Sequence, residues 1–195
     1  MVSAESERSV WLRTMMLAWC ALTALACAPE PRYEVDLRDS PSVWMDSEGR
    51  AQRMPEAFEG KTVLINYVYT SCPDVCPIST SILHRVRAAL ADSTGSYAFA
   101  TITFDPERDD TEAMADYKAA FEIVGDDWLF LTADTATVNS FLSLVGVRVR
   151  PGSELGMIDH TDQISLMDPD GRIRYHYPGS RSSANMLIQD MQSID

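Results

Sequence analysis

The most legible stretch of the chain is Thr62–Tyr69, where Thr-Val-Leu-Ile-Asn-Tyr-Val-Tyr makes a nearly continuous apolar, β-prone run. A run of that kind predicts a central strand covered on both faces. From Pro77 the period changes. Ile78, Ile82, Val86 and Leu90 recur every four residues, Leu83 widens the stripe, and the pattern predicts a helix. Tyr97–Phe104 repeats the buried-strand pattern. Asp109, with Glu112 three residues on, has the form of a capping box that opens a second helix, with Met114, Tyr117, Phe121 and Val124 as its apolar face. Trp128–Leu131 is a short strand, and Thr135–Val145 is a helix that turns Val138, Phe141, Leu142 and Val145 inward. A loop rich in Gly and Pro follows from Arg148 to Ile158. Gln163–Met167 and Arg172–Tyr177 are strands joined by Asp168-Pro169-Asp170-Gly171, a strong turn signal. Ser182–Ile194 is a terminal helix. Upstream, Tyr33–Leu37 alternates weakly as a strand would, and Val43–Asp46 and Arg50–Arg53 flank Ser47-Glu48-Gly49 as a small hairpin.

From Thr62 the order is therefore β-α-β-α-β-α-β-β-α. Alternating strands and helices favour a sheet sandwiched between helices. A βαβ start with two cysteines at the strand-to-helix turn, and a hairpin and helix at the end, is the thioredoxin plan. The fold class expected is α/β, a thioredoxin-like three-layer fold with a central mixed sheet and flanking helices.

The first 26 residues follow a different pattern. Arg8 and Arg13 precede an uncharged run from Thr14 to Ala26, shorter than the about 20 apolar residues that span a bilayer. The run fits the h-region of an export signal. It closes in Leu22-Thr23-Ala24-Leu25-Ala26-Cys27, which resembles a bacterial lipobox, although Ala24 stands where a strong one has Leu. The organisation expected is a signal over 1–26, a lipid-anchored tether over 27–32 and a thioredoxin-like domain over 33–195, on the periplasmic or outer face of a bacterial cytoplasmic membrane. An ordinary cleaved signal and an uncleaved anchor helix stay open beside it.

Composition narrows the functions. The net charge is −13, from 29 acidic and 16 basic residues, which argues against a nucleic-acid surface built of clustered Lys and Arg. Of four cysteines, Cys20 falls inside the signal and Cys27 at the lipid position, which leaves Cys72 and Cys76. Their loop is too small for a useful structural staple, because a disulfide's entropic effect grows with loop length. Such a pair is redox-active or metal-binding. At a helix N-terminus, unpaired N–H groups and the helix dipole favour thiolates, so lowered thiol pKa values are expected there. Three residues separate the cysteines, one more than in ordinary thioredoxins, which lets the sulfurs stand apart as ligands. Among the histidines, His84 lies off the helix stripe and reads as surface. His176, between Tyr175 and Tyr177, reads as a strand-surface or packing residue. His160 stands in the loop before the hairpin, which faces the Cys turn in a thioredoxin plan, but by itself it reads first as an exposed loop residue and only second as a ligand.

Three blocks then carry a resemblance. Residues 61–77, Lys-Thr-Val-Leu-Ile-Asn-Tyr-Val-Tyr-Thr-Ser-Cys-Pro-Asp-Val-Cys-Pro, are similar to the signature of the Sco/SenC family of thioredoxin-fold copper proteins that serve cytochrome c oxidase assembly. Thr103-Phe104-Asp105-Pro106-Glu107-Arg108-Asp109 resembles that family's strand-end acidic segment. Asp159-His160-Thr161, followed by Leu166-Met167-Asp168-Pro169-Asp170-Gly171, resembles its histidine loop and hairpin. The resemblance spans about residues 33–195 and implies that Cys72, Cys76 and His160 bind copper, as Cu(I) or Cu(II). Two thiolates and an imidazole suit Cu(I), and by softness alone they would also hold Zn(II). Two departures stand out. Asp110-Thr111 replace the family's Thr-Pro, with Asp109 and Thr111 left to cap. Gly156-Met157-Ile158 stand where relatives often carry an aromatic residue, and Met157 reads as apolar loop packing or as a thioether ligand. Asp105, on the same edge, fits tuning of the histidine, partner docking or plain strand-end capping.

Two functions follow from the resemblance. A metallochaperone would hold copper at Cys72, Cys76 and His160 and pass it to the copper-bearing subunit of cytochrome c oxidase, filled by a copper donor chaperone. A thiol–disulfide reductase would use Cys72 and Cys76 as a redox pair, recharged by a thiol reductant, to keep the client's cysteines reduced. His160 is essential to the first and dispensable for the second. A peroxidase of the peroxiredoxin kind is set aside, because Val68-Tyr69-Thr70-Ser71 lacks the Pro and Thr such enzymes place before the attacking Cys.

Overall fold

A strand buried on both faces has to lie in the middle of a sheet, and β4 (Thr62–Val68) does, with every residue buried. A computed structural model of the chain describes residues 35–93, 95–152 and 156–194. Its strands are β1 (Val35–Asp36), β2 (Ser42–Asp46), β3 (Ala51–Met54), β4, β5 (Tyr97–Thr103), β6 (Trp128–Thr132), β7 (Val149–Pro151), β8 (Ile158–His160), β9 (Gln163–Met167) and β10 (Arg172–Pro178). The helices are α1 (Val75–Ala89), α2 (Thr111–Ala120), α3 (Thr135–Leu144) and α4 (Ala184–Ser193). Eight strands form one mixed sheet in the order β1-β10-β9-β4-β5-β6-β2-β3, and β7 and β8 pair separately. β5 runs parallel to β4 from Thr62↔Tyr97 to Val68↔Thr103, and β6 runs parallel to β5. β9 runs antiparallel to β4 and pairs Asn66 with Ile164.

The layers follow from the pleat. Asn66 points from β4 toward α1, where its amide donates to Thr80 Oγ1 at 3.0 Å. Thr80 in turn meets the Tyr117 hydroxyl of α2 at 3.1 Å, and α1 packs against α4, so these three helices share a face. Tyr67 points the other way and meets Ser165 Oγ at 2.8 Å. On that face Gln163 Nε2 donates to the Val145 carbonyl at the end of α3, and Phe141 of α3 meets Trp44 edge-on at 5.3 Å. The result is the three-layer, thioredoxin-like α/β fold that the element order implies. Among the described residues, no helix is long and apolar enough to cross a membrane.

Several expectations change in detail. Tyr33, Cys20, Cys27 and the whole proposed signal and tether lie outside the described residues. Helix α1 begins two residues before Pro77 and so takes Cys76 into its first turn. Its buried stripe is Cys76, Ser79, Thr80, Ile82, Leu83 and Val86, while Ile78 is exposed. Polar Ser79 and Thr80 can face inward because buried partners meet them: Asn66 and Tyr117 for Thr80, and the Cys76 carbonyl for the Ser79 hydroxyl. Val124, assigned to the inner face of the second helix, lies beyond its end and is exposed. The cap of α2 is Asp110, whose carboxylate accepts from the Ala113 N–H at 2.9 Å, and not Asp109. Asp109 is drawn inward by other donors, described below. The segment from Arg148 to Ile158 is not all loop, because β7 and β8 make a short ribbon in which Val149 pairs with His160. The Asp168–Gly171 turn forms as expected. Gly171 N–H donates to the Asp168 carbonyl at 3.0 Å with φ +82°, a conformation that favours glycine.

Candidate metal centre

The site gathers at the C-terminal ends of β4 and β5, where unpaired strand ends and a helix N-terminus meet. Past Val68 the chain turns sharply, with Cys72 N–H donating to the Tyr69 carbonyl at 3.1 Å, and enters α1 at Val75. The turn places both thiols inside the protein: Cys72 is 7% exposed and Cys76 1%. Both are free cysteines. On the far side, β8 carries His160. The donor atoms of Cys72, Cys76 and His160 all lie within 4.8 Å of one another, and Cys76 Sγ stands 3.8 Å from His160 Nε2. The other ring nitrogen, Nδ1, is 3.1 Å from the Thr161 carbonyl. A carbonyl only accepts, so Nδ1 carries the proton and Nε2 keeps its lone pair turned toward the sulfurs.

The surroundings act on these groups unequally. Burial pushes the Cys76 thiol well above its ordinary range; the Tyr69 backbone N–H opposes this and the Cys72 thiol adds to it. The expectation that a helix N-terminus lowers the thiol pKa therefore fails at Cys76, because desolvation of a charged sulfur outweighs the dipole there. Burial, then the neighbouring Cys72, also push the Tyr69 phenol up. A soft cation removes the conflict at Cys76. It would take the place of the proton on a buried sulfur and offset the charge left there, so that the two thiolates keep a single negative charge with a monovalent ion and none with a divalent one.

Three features of the site escaped the sequence pattern. His160 lies on an aromatic wall: its ring is 4.5 Å from that of Phe104 and meets Tyr69 edge-on at 6.3 Å, centroid to centroid. Tyr69 and Phe104 are the residues that follow Val68 and Thr103, which are paired across the parallel ladder. Setting the ends of the two predicted strands level would have found them. The third feature is Asp109, buried behind the cysteine turn. Its carboxylate accepts from the Thr70 N–H at 3.0 Å, the Thr70 hydroxyl at 2.6 Å and the Thr103 hydroxyl at 2.6 Å, while its carbonyl accepts from Thr132 at 2.7 Å. Asp105 pairs with Arg108, its carbonyl accepts from the Arg108 and Asp109 N–H groups, and its own N–H donates to Thr103 Oγ1 at 2.9 Å, so it closes the strand end. Met157 reaches Tyr69, whose hydroxyl donates to Sδ at 3.7 Å. His84 is exposed on α1, and His176 is half-buried on β10, where its Nδ1 accepts from Gln163 Nε2 at 2.9 Å.

Fold and site together define a class: a thioredoxin-like protein in which two cysteines of the strand-to-helix turn and a distant histidine converge as a soft-metal donor set. Residues 39–194 match the SCO1/SenC family, and the chain belongs to it. It is 34% identical over 145 residues to the human mitochondrial SCO2 homologue, covering 71% of this chain and 53% of that protein. The chain thus spans about half the length of that relative. Among solved structures, Bradyrhizobium japonicum ScoI with copper bound superposes with a TM-score of 0.65 at 27% identity, over 80% of this chain and 98% of that one. A SCO1/SenC family lipoprotein from Bacillus anthracis superposes with a TM-score of 0.74 at 21% identity, over 84% and 98%.

Proposed function

We propose that this protein is an exported copper carrier, which binds copper at Cys72, Cys76 and His160 and delivers it to the copper centre of cytochrome c oxidase during assembly. The observation that carries the reading is the convergence of two buried sulfurs and an oriented imidazole lone pair within 4.8 Å. That donor set is soft and, in its deprotonated form, bears two negative charges, which suits Cu(I) and also accepts Cu(II). Copper here is cargo. A site of three protein donors leaves room for a client thiolate to add before a resident bond is lost, so the metal never has to pass through water. Membership of the family supports copper as the metal, as does the likeness to a ScoI with copper bound. The sequence motif at Cys27 supports a lipid tether that would hold the domain at the membrane, near a membrane-embedded client.

The reductase reading uses the same two thiols. In that reading Cys72, the less buried of the two, is the attacking thiol and Cys76, which burial pushes toward its protonated form, is the resolving one. The deciding experiment is Cu(I) affinity of the full chain beside His160→Ala, by competition with a chromogenic chelator under anaerobic conditions. The carrier reading expects one tightly held copper and a loss of at least about 100-fold in the variant, beyond the range that even a supporting group costs a metal site. Equal or weak binding in both would overturn the copper site and leave disulfide reduction as the leading function.

A further inference from the structure

A third sulfur stands at the edge of the site. Met157 Sδ accepts the Tyr69 hydroxyl at 3.7 Å, and Tyr69 is also the residue whose ring edge meets His160. The thioether is therefore one side chain removed from a metal donor, on the same wall of the site. Its position is constrained. Gly152 N–H donates to the Met157 carbonyl at 2.9 Å. A Cβ at Gly152 would lie 2.9 Å from the Met157 carbonyl carbon, its oxygen and its Cβ. Gly152 does not have a left-handed backbone, so the glycine is there for space and not for conformation. The close approach it permits holds Met157 toward Tyr69.

Packing does not account for the sulfur. A leucine would fill the same volume, and a thioether is a weak acceptor for a phenol. It is, however, a good soft ligand. It also brings no charge, so it can join two thiolates and an imidazole without adding to their repulsion. We propose that Met157 is an auxiliary, exchangeable ligand of the copper carried by Cys72, Cys76 and His160, which it takes up in place of its hydrogen bond to Tyr69. A neutral donor of this kind covers the metal's open side in storage and is the first to yield to an incoming thiolate. The inference rests on the copper reading above.

The test uses the full chain with isotopically labelled methionine methyl groups, the Met157 signal being assigned by its loss in Met157→Leu. One equivalent of Cu(I) is added anaerobically, and near-ultraviolet thiolate-to-copper absorption is recorded on the same sample. The inference expects the Met157 methyl resonance to move with loading. It also expects Met157→Leu, which preserves volume, to release copper to a chelator about tenfold faster, at the low end of what removing a supporting group costs a metal site. Gly152→Ala keeps the sulfur but displaces it, and should give the same acceleration. A Met157 signal that stays fixed while thiolate absorption appears would overturn the auxiliary ligand and leave the three-donor site standing. Absence of the absorption itself would overturn both. Wild-type release rates in both variants, with the fold retained, would likewise overturn the inference.

Discussion

The cysteine half and the histidine half of the site are built in opposite ways. Cys72 and Cys76 hang from the central strand and the first turn of α1, and everything behind them is tied down. Asp109 takes three hydrogen bonds from Thr70 and Thr103, while Asn66 is held by Thr80 and by the Thr101 hydroxyl at 2.7 Å. His160 hangs from a two-stranded ribbon that joins no other strand among the described residues. Three register pairs hold that ribbon, together with the bond from Thr161 N–H to the Arg148 carbonyl at 2.9 Å. The histidine itself rests on ring contacts with Phe104 and Tyr69 and on one carbonyl. The difference suits a carrier. In the role proposed above, a preorganised dithiol would give affinity, since little is spent on ordering it, and a loosely tied third donor would give a way out for the metal.

The comparison breaks most severely at Asp109. Asp109→Ala would leave the Thr70 N–H and two hydroxyls without their acceptor in a buried place, each costing about 1–3 kcal/mol. We expect a loss of roughly 3 kcal/mol or more in urea unfolding, and the cysteine turn should loosen with it. Asp109→Asn keeps the volume, and so separates folding from positioning. It turns one accepting oxygen into a donor that faces other donors. If the variant folds, its Cu(I) affinity should fall and the reactivity of its thiols toward a small disulfide should rise together. Normal thiol reactivity in a folded Asp109→Asn would show that the turn holds its shape without this anchor.

A smaller effect should come from the histidine half. Phe104 is buried, and Phe104→Leu removes the ring face under His160 while keeping an apolar side chain. A loss of about 1–2 kcal/mol in stability is expected, below the cost of full truncation. The informative readout is the imidazole, whose proton resonances should broaden or move while the cysteine turn keeps its amide protection. If amide protection falls equally at Thr70 and at His160, the two halves are one cooperative unit and the contrast between them is false.

How far the sequence could be read follows the same division. β4, β5 and β6 were legible because continuous apolar runs have few other places to go. The hairpin at Asp168–Gly171 was legible because its turn chemistry is local. Both cysteines were legible as a pair, and His160 only through family resemblance, because three-residue strands carry no usable period and their pairing is non-local. Ile78 and Ser79–Thr80 exchanged roles for a related reason. Hydropathy sends isoleucine inward, but a buried asparagine on the facing strand supplied partners that let hydroxyls go inward instead. The cap of α2 moved for the same reason, from Asp109, which the capping-box pattern picks, to Asp110. Asp109 was drawn away from the helix start by the donors at Thr70 and Thr103, and Thr70 lies far from the helix in sequence.

The smallest effect concerns the second histidine of this edge of the fold, which serves as an internal control. His176 is fixed on the main sheet, opposite Ser165 on β9, and its Nδ1 accepts from Gln163 and approaches Ser165 Oγ at 2.9 Å. Burial lowers its pKa below the ordinary value of 6.5. With the folded pKa below the unfolded one, the unfolded chain binds more protons through this window, so stability rises with pH. The contribution is present above about pH 6.5 and is lost as pH falls from there through the folded value. A proton arriving at Nδ1 would also set a donor against the Gln163 amide. We expect stability to drop by less than about 1 kcal/mol between pH 7 and pH 5, given the partly open position. His176→Gln should flatten that part of the profile. If the profile keeps its slope in His176→Gln, another group titrates in this window and the hydrogen bonds that fix His176 on the sheet do not report on stability.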